Sequence, residues 1–83
     1  MTIDENWGIA IHRVRAFFDA QPDVVPWGDG YRYHHCTITL TEIPPSQQSI
    51  LAIPRTQLLI EGPDEEAATI HRRFFLRFLS AGG

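Results

Sequence analysis

The 83-residue chain has no lysine, a single cysteine and no long hydrophobic run. Without lysine there is no P-loop lysine, no Schiff-base lysine and no lysine general base. One cysteine excludes an intrachain disulfide framework and any cysteine-only metal cage, and it fits a reducing compartment such as the cytoplasm. No apolar stretch approaches the roughly 18–20 residues of a membrane span. Nor does a basic segment followed by an apolar one open the chain, as a secretory signal would. Positive charge is scarce as well: seven arginines face ten carboxylates, for a net charge of −3. A nucleic-acid partner is therefore not expected, because basic side chains must neutralise phosphates to gain affinity. The one basic cluster, Arg72, Arg73 and Arg77, falls near a helix end, where cations are favoured by the dipole.

What remains is 43% hydrophobic and 20% charged, the composition of a folded chain. The length allows one small α+β domain over residues 1–83, close to the size below which burial becomes insufficient. Ile3, Trp7, Ala10, Ile11, Val14, Phe17 and Phe18 recur at helical spacing, and Thr2 with Glu5 has the spacing of a capping box. The expectation is a first helix over 2–20, ended by Pro22, with His12 facing solvent. Turn-forming residues fill 21–30, where Val24 to Trp27 can add a short edge strand; Pro26 forbids a central position.

Residues 31–43 are rich in aromatic and β-branched side chains and read as one long strand. Alternation places His34, Cys36, Ile38 and Leu40 toward the core and Tyr33, His35, Thr37, Thr39 and Thr41 away from it. Pro44 and Pro45 end this strand, and a loop runs to about Ser49. Residues 50–61 read as a second strand whose pattern slips: Leu51 and Ile53 share one parity, Leu58 and Ile60 the other. An extra residue at Pro54–Arg55, a β-bulge, reconciles them, and two shorter strands meeting at a turn there are the alternative. Residues 62–80 form a second helix, with Pro63 at its start and Asp64, Glu65 and Glu66 at its positive end. Its apolar arc takes Ala67, Ala68, Ile70, Phe74, Phe75, Phe78 and Leu79, leaving Leu76 exposed.

The fold class that follows is a two-layer helix-strand-strand-helix arrangement, a long bulged antiparallel hairpin with both helices on one face. A two-stranded sheet is marginal alone and has open edges, so self-association that extends or stacks the sheet is expected.

Three functional readings follow. The first is a non-catalytic homodimeric module acting by protein contact, through Tyr33, His35, Thr37 and Leu59, with Leu76, Arg73 and Arg77 as a second patch. The second is a thiol or zinc site. His71 lies eight residues beyond Pro63, about 12 Å along the helix axis, which sets it level with Cys36 or Thr37 on the strand. His34, Cys36 and His71 could then meet, activating the thiol or binding a metal. The plainer reading is a small buried cysteine among histidines bonded to backbone. The third is a di-glycine carrier: Gly82–Gly83 is similar to the activated ends of ubiquitin-like sulfur carriers. Those proteins open with a β-hairpin, whereas a helix is expected here. The His34–His35–Cys36 run also resembles the His-His-Pro run of pterin carbinolamine dehydratases, with Cys36 in place of the proline. No catalytic role follows from that likeness.

Overall fold

A computed structural model describes residues 1–44 and 53–79. Its elements are β1 (Thr2–Trp7), α1 (Ile11–Asp19), β2 (Val24–Trp27), β3 (Gly30–Tyr33), β4 (Cys36–Ile43), β5 (Arg55–Glu61) and α2 (Asp64–Leu79). The five strands form one antiparallel sheet in the order β1-β5-β4-β3-β2, and both helices pack on one side of it. The α+β class and two-layer arrangement are therefore as the sequence implies. The element order is not.

The first correction is at the start of the chain, where residues 2–7 are a strand and not the first turns of a helix. Ile3 and Trp7 are four apart, a spacing that fits both a helix and alternate positions of a strand. Pairing decides between them: β1 lies against β5 from Thr2↔Glu61 to Trp7↔Thr56. Ile3, Glu5 and Trp7 then turn inward, half-buried, while Thr2, Asp4 and Asn6 face solvent. Glu5 does not close a capping box. Its carboxylate accepts a hydrogen bond from Trp7 Nε1 at 3.1 Å. The corner after β1 is held by Thr56, a buried residue whose hydroxyl donates to the Ile9 carbonyl at 2.7 Å. The helical pattern survives over the shorter α1, where Val14 and Phe18 are buried and His12 is exposed. Because β1 and β2 occupy opposite edges, α1 crosses the inner face to connect them.

The second correction concerns the long strand, which is two strands joined by a turn at His34–His35. Tyr33 pairs directly with Cys36, so those two side chains share a face and the two histidines drop out of the alternation. Tyr31 and Tyr33 consequently join Cys36, Ile38 and Leu40 in the core. His34 takes φ 52°, the left-handed region that the first position of such a turn demands. The short strand at Val24–Trp27 is present, and at the edge, as Pro26 requires.

The β4–β5 register runs without a slip from Thr37↔Glu61 to Ile43↔Arg55, so no bulge interrupts the described pairs. Ile53 precedes β5 and is exposed. The loop to Ser49, the strand start at Ile50 and Leu51 lie outside the described residues, as do Ala52, Ser80 and Gly82–Gly83.

The inner face of the sheet and the two helices enclose one cluster in which Phe74 touches Trp7, Phe17, Phe18 and Phe78, at ring-centroid distances of 4.8–5.9 Å. The turn from β5 into α2 is equally tight. A Cβ on Gly62 would lie 2.6 Å from Cys36 Sγ and 2.8 Å from Cys36 Cα. Since part of that obstacle is backbone, Gly62→Ala is expected to lower stability by about 1–3 kcal/mol in urea unfolding with an unchanged m-value.

Candidate functional site

Cys36 opens β4 and is fully buried. Its thiol points at the first turn of α2, with Sγ 4.0 Å from the Pro63 carbonyl. Burial, reinforced by the charge of Glu66, pushes the thiol above its ordinary value of 9.0. At neutral pH it is a protonated thiol packed against backbone, the opposite of an activated nucleophile.

His34 and His71 are elsewhere. His34 stands exposed in the β3–β4 turn, its ring 4.4 Å from that of Tyr33 and its carbonyl accepting from Arg32 Nε at 3.0 Å. His71 is half-buried on the flank of α2 that faces β1, where Nε2 meets Glu5 Oε1 at 2.7 Å. The geometry that set His71 level with Cys36 assumed a bare hairpin. With β1 added beyond β5, the outer partner of His71 is Glu5. Among the described residues, no three His, Cys, Asp or Glu side chains are placed so that they could hold a metal ion.

The expected contact surface is also redistributed. Tyr33 is in the core, where its ring carries the Arg73 guanidinium at 5.4 Å. Arg73 is not a free cation: it holds Asp23 through two hydrogen bonds of 2.8 and 3.0 Å. His35 pairs with Glu66 at 2.9 Å, and the bond from His35 holds the Glu66 carboxyl below its usual range. Thr37 and Leu59 do lie on the outer sheet face, half-buried. Around them stand Asp4, Asn6, Gln57, Thr39 and Thr41, so the middle of that face is polar, as an antiparallel sheet exposed to water on one side should be, while its β2 end carries exposed Val25 and Trp27, with Arg32 over the Trp27 ring at 4.9 Å. Arg77 lies over the Phe78 ring at 5.3 Å.

Leu76 is exposed, as expected, and it is not alone. Phe75, Leu76 and Leu79 are 38%, 57% and 59% exposed and, with Arg72, follow the i, i+3, i+4, i+7 spacing of a single helix flank. Assigning Phe75 and Leu79 to the core missed this. The signal was the width of the apolar arc on α2, which is broader than one packed face can cover. The buried positions are Ala67, Ile70, Phe74 and Phe78 alone.

The pair that most clearly couples structure to pH is Asp23–Arg73. The Arg73 hydrogen bond holds the Asp23 carboxyl below 3.8. Its stabilisation is thus complete above about pH 4 and is lost as pH falls through the depressed folded value. Asp23→Asn should cost about 0.5–1 kcal/mol at neutral pH, with the gap to the parent chain closing below pH 4 in urea titrations.

Compared with known proteins, the chain matches no family model, no curated protein and no solved structure.

Proposed function

We propose that this chain is a non-catalytic assembly module that pairs with a second copy of itself through the outward flank of α2. The observation that carries this reading is the row Phe75, Leu76 and Leu79, three large apolar side chains exposed on a helix whose opposite face is fully buried. Scattered exposed leucines are ordinary, but a contiguous row rimmed by charge has the composition of a contact surface.

A second copy is favoured as occupant by the charge pattern along α2. The helix begins with Asp64, Glu65 and Glu66 and carries Arg72, Arg73 and Arg77 in its second half. Two such helices packed antiparallel about this row oppose their dipoles and keep the two acidic starts apart, at opposite ends of the pair. A parallel pairing would stack like charges. The antiparallel arrangement is isologous and closes as a dimer.

The sheet is a poorer site for self-association than the sequence suggests. Five strands in place of two remove the need for a partner to complete the layer, and the outer face is largely polar over β1, β5 and β4, with Arg32 laid over Trp27 at the β2 edge. The net charge of −3 and the engagement of Arg73 by Asp23 favour a protein partner over a nucleic acid. No described helix is long and apolar enough to cross a membrane. The free, buried Cys36 accords with a reducing compartment, and we place the module in the cytoplasm.

The interface is small, so a weak dimer is expected. Burying one leucine is worth about 1.5–3 kcal/mol, or roughly ten- to a hundredfold in affinity. Sedimentation equilibrium over the micromolar range should give a monomer–dimer equilibrium for the parent chain. Leu76→Glu with Leu79→Glu should be monomeric with an unchanged circular dichroism spectrum. A strictly monomeric parent, or a dimer indifferent to both substitutions, would overturn the reading.

A further inference from the structure

On the other flank of α2, a cavity of about 330 Å³ opens between the two helices, lined by Arg13, Ala16, Phe17, Ala20, Gln21, Arg77 and Phe78. Its size is at the lower end of the roughly 300–1,000 Å³ of ligand pockets. Its chemistry is uneven. The walls are two phenylalanine rings and two alanines, and among the described residues the only charges lining it are two guanidinium groups. Arg13 and Arg77 both lie over the Phe78 ring, 5.8 and 5.3 Å from its centroid.

Neither arginine has a carboxylate partner among the described residues, although ten carboxylates are present in the chain. The acidic groups near this region are committed elsewhere: Asp23 to Arg73, and Asp19 to the Tyr31 hydroxyl at 2.9 Å. Two like charges held at one ring repel each other, and an anion between them relieves that repulsion. Guanidinium groups suit this role because their planar forks bind phosphate and carboxylate oxygens in pairs.

The end of α1 borders the cavity, and its carbonyls would oppose an anion if they were bare. They are not. Ala16 and Phe17 accept from the Ala20 amide, Phe18 accepts from the Gln21 amide at 3.1 Å, and Gln21 Nε2 adds a bond to Phe17 at 3.2 Å.

We propose that this cavity is a binding site for a small ligand carrying a phosphate or carboxylate group on a flat apolar body. The anion bridges Arg13 and Arg77, and the body lies in the groove over Ala16 and Ala20, against the touching rings of Phe17 and Phe78, whose centroids are 5.8 Å apart.

Titration of the full chain with phenyl phosphate, benzoate, inorganic phosphate and benzylamine, followed by amide NMR shifts, tests the site. Phenyl phosphate or benzoate should saturate shifts at Ala16, Ala20 and Gln21. Whichever of the two binds tighter identifies the anionic group. Inorganic phosphate should bind more weakly, and benzylamine not at all. Arg13→Gln and Arg77→Gln are surface changes expected to leave the spectrum folded, and each should weaken binding about tenfold or more. Shifts that never saturate with either aromatic anion, or saturation unaffected by both substitutions, would overturn the proposal. Neither arginine lies on the Leu76 flank, so this outcome is independent of dimerisation.

Discussion

Phe74 is the contact on which the rest of the molecule turns. Its ring is fully buried and meets Trp7 from β1, Phe17 and Phe18 from α1, and Phe78 from its own helix. Truncating such a residue to alanine costs about 3–5 kcal/mol, a large share of what a chain of this size has available. The same cluster makes the fold one-sided. The large aromatic groups that seal the core come from the helices and from the inner face of the sheet, and among the described residues the outer face carries one aromatic group, Trp27 at the β2 edge. The threonines, acids and amides of that face follow from the alternation that serves Phe74.

One-sidedness also explains what is left over on α2. A helix lying on a sheet buries one stripe, here Ala67, Ile70, Phe74 and Phe78. One flank looks toward β1 and carries His71 against Glu5, with Phe75 edge-on to Trp7 at 5.9 Å. The other looks toward α1 and β3 and carries Glu66, Arg73 and Arg77, each engaged by a neighbour or a ring. Leu76 and Leu79 fall on neither side, and among the described residues no folding contact accounts for them. Their hydrophobicity is a cost in the monomer that association can recover.

The legible parts of the sequence were those in which local pattern and tertiary context agree. α2 was readable because Pro63, three acids and a long periodic run all point the same way, and β2 because Pro26 restricts it to an edge. The failures have two causes, and the first is that a short segment can satisfy two periods. Ile3 and Trp7 fit both a helix and alternate strand positions, and only the pairing with β5 chooses. The histidine turn was invisible because neither His34 nor His35 is a usual turn residue, yet a two-residue turn there reverses the face of Tyr31 and Tyr33. Both errors bore on the expected site, since Cys36 and His71 could be brought together only on a sheet that lacked β1.

The central claim is that a fold sealed on one side by its aromatic cluster leaves the outward flank of α2 as its surface for self-association. An isotope-filtered nuclear Overhauser experiment on a mixture of labelled and unlabelled chains tests it most directly. Intermolecular cross-peaks should join the methyl groups of Leu76 and Leu79 to the second copy's Ala68 and Phe75 and the aliphatic stem of its Arg72. Cross-peaks confined to the β1 or β2 edge, or to Leu59 and the threonines of the outer sheet face, would contradict it.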